Sequence, residues 1–218
     1  MTPPETLTTA ATADFNLAGL ELIGPIARLQ VQISPLKQGE KPHRWYDPSP
    51  IASVPSLRIE SGGVVGLDGD ERRGDVHHRD HPLSRYRGEN GISIGFTSHY
   101  AIMRAHFGDH LTDGIAGENL LIETDRRLTG ADLKGGVLVV SDRGVVAIDD
   151  IQVAPPCVEF GKFSLRYGAE RTADREVAAA VKFLHEGVRG FYATCQLDED
   201  AIAALPPIAV GNLVYRRV

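Results

Sequence analysis

Three histidines and two aspartates stand close together in one polar segment of the chain. His77, His78 and His81 are accompanied by Asp75 and Asp80. Imidazole and carboxylate side chains together can bind zinc or another first-row metal ion. The same composition is also typical of a polar loop in contact with solvent, which is the more ordinary interpretation. The sequence alone therefore leaves both a metal-binding and a solvated interpretation of this segment open.

A second group capable of chemistry is a cysteine that follows two prolines. Pro155 and Pro156 restrict the backbone and would fix the direction of the Cys157 thiol. A cysteine acts as nucleophile or metal ligand through its thiolate, which a neighbouring cation or a metal stabilises. The alternative for Cys157 is a small, buried apolar residue after a strand, the interpretation that we also give to Cys195.

Length and composition describe an ordinary globular chain. Its 218 residues suit one domain, with 42% hydrophobic and 24% charged residues. No apolar run approaches the roughly 18 residues of a membrane helix, and the net charge of −6 argues against a nucleic-acid backbone as partner. The motifs of P-loop nucleotide hydrolases, zinc proteases and serine hydrolases are absent.

The cysteine content and the first residues of the chain indicate the cellular compartment of the protein. The chain has 2 cysteines, too few for a disulfide framework, which indicates a reducing cytoplasm. Residues 1–19 are rich in threonine and alanine and lack the basic start and apolar stretch of a signal peptide. We expect residues 1–19 to be a flexible leader and residues 20–218 to form a single domain.

Short strands dominate the predicted secondary structure. Residues 35–55, rich in proline and polar side chains, are expected to be irregular. The segments whose alternating or β-branched residues predict strands are 20–34, 54–60, 137–140, 145–153, 190–194 and 208–215.

Two helices are predicted, over residues 98–107 and 174–186. Thr97 or Ser98 could cap the first helix, and Asp174 could cap the second. Many short strands with so few helices predict a mainly β fold, a barrel or sandwich with short flanking α-helices.

Segments in three parts of the chain, read in order, resemble the MOSC domain family, named after the C-terminal domain of molybdenum cofactor sulfurase. They are residues 66–70 (GLDGD) with the histidines that follow, residues 114–120 (GIAGENL) and residues 155–157 (PPC). Residues 189–193 and 210–214 are similar to the last strands of the family. The resemblance covers the chain from about residue 24 to its C-terminus.

The resemblance implies a mainly β barrel and a molybdenum-pterin cofactor (molybdopterin), with Cys157 as the thiolate ligand of the metal. Each cofactor-binding residue implied in this way also has a structural interpretation, such as closing a turn or packing. These residues are Lys37, Asp70, His78, Gly117, Glu118, Asn119 and Arg189.

The same resemblance implies an oxidoreductase that removes oxygen from an N-hydroxylated small molecule. The chain has no recognisable flavin, iron–sulfur or nicotinamide motif, so a separate electron-donor protein would be needed. One alternative is a sulfurtransferase that carries a persulfide on Cys157 and receives it from a sulfur donor. Another is a non-catalytic carrier of the cofactor. We expect neither nucleic acid nor membrane as partner, and the sequence leaves an oligomer open.

Overall fold

The structure, a computed structural model, describes residues 18–194, 202 and 204–218. The leader expected over residues 1–19 lies outside the described residues except for its last two positions. Cys195, interpreted from the sequence as a core residue, also lies outside them.

Short strands make up most of the regular structure in the described residues. The helices are α1 (Thr97–Phe107), α2 (Val158–Ser164) and α3 (Arg175–Leu184). The strands are β1 (Leu20–Gln32), β2 (Lys37–Gln38), β3 (Trp45–Tyr46), β4 (Ile51–Val54), β5 (Ser56–Glu60), β6 (Gly63–Asp68), β7 (Glu71–Gly74), β8 (Ile92–Phe96), β9 (Leu120–Ile122), β10 (Val137–Ser141), β11 (Gly144–Ile148), β12 (Gln152–Val153), β13 (Phe191–Ala193), β14 (Ile208–Ala209) and β15 (Leu213–Arg217). The predicted mainly β fold with a few short helices is confirmed.

One long strand organises the largest sheet. The order of that sheet is β11-β10-β15-β1-β9-β8-β13-β12, and β4 also pairs with β1. The first part of β1 pairs with β15, with Leu22 opposite Tyr215, whereas Leu29 pairs with Val54 of β4 and with Leu120 of β9. A second sheet has the order β14-β5-β6-β7, and β2 pairs with β3. Strand β1 therefore connects both ends of the large sheet.

Two apolar clusters fill the interior. The first is built from the inward-facing residues of the sheets, such as Ile26, Ile94 and Phe96. The second lies between the helices and β3 and contains Tyr100 and Phe160. Burial of these side chains is the main favourable contribution to folding. The elements that surround Cys157 pack against this second cluster.

The segment expected to be irregular is partly regular. Strands β2, β3 and β4 all lie within residues 35–55. They form because they find partners, β2 with β3 and β4 with β1, and tertiary pairing overrides weak local propensity. The strand expected over residues 54–60 is interrupted at Pro55, which has no N–H to donate to a ladder.

The predictions for helices are only partly correct. Asp174 caps α3 by accepting hydrogen bonds from the N–H groups of Glu176 and Val177, as expected. Phe96 is the N-cap residue of α1 without a side-chain bond, so neither Thr97 nor Ser98 is the cap. Their hydroxyls donate instead to the carbonyls of residues 124 and 126. Helix α2 was not predicted. No helix in the described residues is long and apolar enough to cross a membrane.

A buried histidine lies on the inner face of α1. His99 is 2% exposed, its Nε2 accepts a hydrogen bond from the N–H of Leu128 at 3.2 Å, and its ring packs edge-on against Phe96. Burial lowers the pKa of His99 from 6.5 to about 4. The imidazole is therefore neutral at neutral pH, and protonating it in the folded state is costly.

His99 should make folding stability depend on pH. Its pKa is lower in the folded chain, so the unfolded chain binds more protons below about pH 6.5, and the contribution to stability is lost as the pH falls towards 4. We expect a loss of about 3 kcal/mol between neutral pH and pH 4. His99→Gln, whose amide oxygen can accept the same bond, should remove this part of the loss in urea unfolding.

The matched control is His106→Gln, which alters an exposed histidine on the same helix and should leave the pH dependence as in the wild type. An equal loss of stability in the wild type and His99→Gln would contradict the prediction.

Candidate functional site

Cys157 lies at the corner where β12 leads, through two prolines, into α2. It is the N-cap residue of α2, and its Sγ accepts a hydrogen bond from the N–H of Phe160 at 3.4 Å. The side chain is half-buried and packs against the apolar cluster that contains Phe160. The sulfur is thus held in a defined position and is not enclosed in the core.

The hairpin of β2 and β3 is fixed to α2 beside the cysteine. The buried Lys162 donates from Nζ to the carbonyl of Arg44 at 2.8 Å. The guanidinium of Arg44 lies 3.7 Å from Glu159, measured from Nε to Oε1. Tyr46 packs edge-on against Phe160, with ring centroids 5.1 Å apart. These contacts place the basic residues of the hairpin next to the start of α2.

Glu159 places a carboxylate next to Cys157 and the β2–β3 hairpin. Burial alone would raise the pKa of Glu159, but a hydrogen bond from its own N–H and the charge of Lys37 hold that pKa below its usual value. The Cys157 thiol and Arg44 act in the same direction. Glu159 therefore remains ionised between the thiol and the basic hairpin.

Arg189 connects α2 with the loop of residues 114–119. Its Nη2 donates to the carbonyl of Ala116 at 2.6 Å, and its Cζ lies 5.3 Å from the centroid of the Phe160 ring. Burial alone would lower the pKa of Arg189, but interactions with the ionisable groups around it together outweigh that effect and raise it. Those groups are Glu118, Tyr46, Tyr100 and Cys157. Arg189 therefore carries its positive charge beside Cys157.

The residues around the cysteine form one group, which we call the Cys157 site. Its members are Lys37, Arg44, Cys157, Glu159 and Arg189.

The glycines of the loop at residues 114–119 are required by its backbone. Gly114 and Gly117 have φ angles of +85° and +83°, a region that other residues rarely occupy. Side chains of β1 hold their carbonyls, since Gln30 Nε2 donates to Gly114 at 2.6 Å and Gln32 Nε2 to Gly117 at 2.7 Å. A Cβ at Gly117 would lie 2.7 Å from the side chain of Leu36. Gly117 thus has a structural role in this turn.

Glu118 points into the protein. Its side chain is 1% exposed, and the hydroxyl of Tyr100 lies 2.7 Å from both of its carboxyl oxygens. The same hydroxyl accepts a hydrogen bond from the N–H of Ala116 at 3.0 Å. Burial raises the pKa of Glu118, against the charge of Arg189 and the bond from Tyr100. Glu118 is therefore an internal counter-charge for Arg189.

Asn119 uses its whole amide within the protein. Its Oδ1 accepts from the N–H and the hydroxyl of Ser93, each at 2.9 Å. Its Nδ2 donates to the carbonyl of Gln30 at 3.2 Å and to Oδ2 of Asp75 at 2.9 Å. Asn119 therefore joins the loop to β1, to β8 and to the segment after β7.

Asp75 is fully buried and receives several hydrogen bonds. The N–H of Gln32 donates to Oδ2 at 2.8 Å, and both the N–H and Nδ1 of His77 lie within 2.9 Å of Oδ1. Burial alone would raise the pKa of Asp75, but the bonds from His77 and Gln32 hold that pKa below its usual value. Sequence reasoning considered Asp75 as a metal ligand or as part of a solvated loop, and it missed this buried connecting role.

The remaining predicted site residues lie elsewhere. Asp70 is exposed in the turn between β6 and β7. His78 is buried, and its Nδ1 accepts from the N–H of Asp80 at 3.1 Å. Its Nε2 has no hydrogen-bond partner among the described residues and lies 3.9 Å from Oε2 of Glu60. No group of three or more His, Cys, Asp or Glu in the described part of the chain could hold a metal ion.

Arg44, Glu159 and Lys162 belong to the neighbourhood of Cys157 and were not predicted. The signal that could have pointed to Glu159 is its position two residues after the cysteine. Lys162 lies in the helix that Cys157 caps. Its bond to Arg44, like the ion pair of Arg44 with Glu159, is a tertiary contact that no local pattern shows.

Replacing the capping sulfur tests the position of Cys157. Cys157→Ala removes the acceptor for the N–H of Phe160 and should lower the free energy of unfolding by about 0.5–1 kcal/mol. Cys157→Ser keeps an acceptor of a type that helix N-termini prefer and should unfold at the same denaturant concentration as the wild type or a higher one. Equal destabilisation by both variants would contradict the cap.

The contact between Asn119 and Asp75 leads to a second prediction. Asn119→Asp places two carboxylates side by side in a buried position, and we expect it to cost about 3 kcal/mol or more at pH 7. Part of this loss should be recovered at low pH, where one carboxyl binds a proton. The control, Asn212→Asp, retains the oxygen that accepts from Ala209 and should change stability in urea unfolding by less than about 1 kcal/mol. Similar losses in both variants would contradict the prediction.

Comparison with known proteins gives a likeness in fold. No protein-family model matches the sequence, and no curated protein matches it. Among solved structures, the YUAD protein from Bacillus subtilis is similar, with a TM-score of 0.51 and 13% sequence identity, over 88% of this chain and 93% of that chain. At this identity the likeness concerns the fold alone. The chain therefore shares its mainly β architecture with that protein over most of both lengths.

Proposed function

We propose that this chain is a MOSC-type protein that binds a molybdenum-pterin cofactor, with the Cys157 thiolate as ligand of the metal. The proposal depends on one observation, the half-buried Cys157 sulfur fixed beside the loop of residues 114–119. Arg189 bridges the two by contacting both Phe160 and Ala116. The sequence resemblance singles out both the cysteine and the loop.

The donor chemistry of the Cys157 site fits such a cofactor. Thiolate sulfur is a soft ligand suited to a redox-active metal. Lys37 offers a cationic donor of the kind that binds the phosphate group of such a cofactor. Glu118 and Asn119 are engaged within the protein, so they would hold the loop in place without touching the cofactor. Nothing in the described contacts adds support for Asp70 or His78.

The proposed reaction is the removal of oxygen from an N-hydroxylated small molecule. The cofactor would supply the two-electron chemistry. The chain itself would hold the sulfur in position, provide positive charge beside it and position the loop. A separate electron-donor protein would deliver the electrons. A cytoplasmic location, which we also propose, would keep Cys157 as a free thiol.

Elemental analysis tests the proposal. The wild type, Cys157→Ser and the control Cys195→Ala should be produced in a host that makes the cofactor and purified without chelators. We expect about one molybdenum atom per chain in the wild type and in Cys195→Ala, and a loss of the metal in Cys157→Ser. Because serine retains the helix cap, the loss would report on the sulfur and not on folding.

Two results would contradict the proposal. One is molybdenum retained in Cys157→Ser, and the other is a molybdenum-free wild type from a host whose own molybdenum enzymes are active. A persulfide on Cys157, detected by intact mass in that molybdenum-free protein, would favour the sulfurtransferase. Bound pterin and molybdenum without any turnover would favour the cofactor carrier.

A further inference from the structure

Arg189 has hydrogen-bond donors that the protein does not use. A guanidinium has five N–H donors, and one hydrogen bond, from Nη2 to the carbonyl of Ala116, is found for Arg189 in the described residues. Its Nε and Nη1 make no hydrogen bond within the described residues, and neither atom is fully buried. No described carboxylate lies within ion-pair distance of Arg189. The half-buried Arg189 side chain therefore keeps hydrogen-bond donors that the described protein groups do not use.

The guanidinium of Arg189 lies close enough to Cys157 for the two groups to interact electrostatically. The two residues share Phe160, whose N–H donates to Sγ at 3.4 Å and whose ring lies 5.3 Å from the guanidinium carbon. Lys37 and Arg44 add two further cations at this point, against Glu159 and the buried Glu118. Arg189 and Lys37 have no carboxylate at ion-pair distance among the described residues, so the surroundings of the sulfur favour a negatively charged ligand.

We propose that Arg189 forms an oxyanion subsite beside Cys157, which selects small molecules carrying a carboxylate or similar negatively charged oxygen group. A guanidinium with free donors binds such oxygens through charge-assisted hydrogen bonds. The inference rests on the proposed function only where it assigns the anion to the substrate. The substrate class would then be anionic N-hydroxylated compounds.

Two alkylating reagents that differ in charge test the subsite. A thiolate displaces iodide from iodoacetate or iodoacetamide, so an S–C bond forms as the C–I bond breaks. The group transferred is a carboxymethyl group, which carries a negative charge, or a carbamoylmethyl group, which is neutral. The ratio of their rates at a single pH is independent of the fraction of thiolate, so it reports the charge around the sulfur. The measurement uses the full chain, free of molybdenum, with Cys195→Ala so that Cys157 is the reacting thiol.

We expect Arg189→Gln to lower the ratio of the iodoacetate rate to the iodoacetamide rate about fivefold at low ionic strength, since one unit charge at a few ångströms is removed. Arg189→Lys should lower it less. Lys37→Gln, a change at an exposed position, should lower it about twofold. The control Arg143→Gln alters an exposed arginine in the turn between β10 and β11, at the opposite edge of the large sheet, and should leave the ratio unchanged.

An unchanged ratio in folded Arg189→Gln would overturn the subsite. If that variant does not fold by circular dichroism, an unchanged ratio in Lys37→Gln would do so. Benzoate should protect Cys157 from iodoacetate better than inorganic phosphate does, and the reverse order would overturn the assignment to a substrate carboxylate. A chain that never binds molybdenum and still shows the Arg189-dependent ratio would contradict the proposed function alone.

Discussion

The buried amide of Asn119 is the contact on which the arrangement of this region depends. It joins the loop of residues 114–119 to Gln30 of β1, to Ser93 at β8 and to the carboxylate of Asp75. Because each polar atom of the amide is used, any displacement of the loop leaves buried groups without partners, which costs free energy. The position of Ala116, and with it the contact to Arg189, follows from this constraint.

The region around Cys157 separates residues that can meet a ligand from residues that support them. Cys157 and Arg189 are half-buried and both contact Phe160, Cys157 through the backbone N–H of Phe160 and Arg189 over its ring. Glu118 and Asn119 are buried, and their side-chain polar atoms are hydrogen-bonded to other groups of the protein. The Gly-Glu-Asn motif of residues 117–119 can therefore contribute to a binding site through the position of its backbone, without contact between its side chains and a ligand.

Much of the architecture could be predicted from the sequence because its signals are local. The alternation of β1 and the Asp174 cap of α3 depend on neighbouring residues and were read correctly. Helix α2 could not be predicted from the sequence, because its N-cap residue is a cysteine and the helix has only 7 residues. Packing against α3 and β3 stabilises it. The inward direction of Glu118 was equally hidden, because a charged residue after a glycine is normally exposed.

Strand β1 pairs with three other strands, and this has a consequence for local unfolding of the protein. The first residues of β1 form a ladder with β15, its middle residues with β9 and its last residues with β4. Two of its glutamines also hold the glycine carbonyls of residues 114 and 117. Opening of either the β15 ladder or the β9 ladder removes hydrogen-bond partners of this one strand, so amide hydrogen exchange in β15 and β9 should proceed through one common cooperative unit.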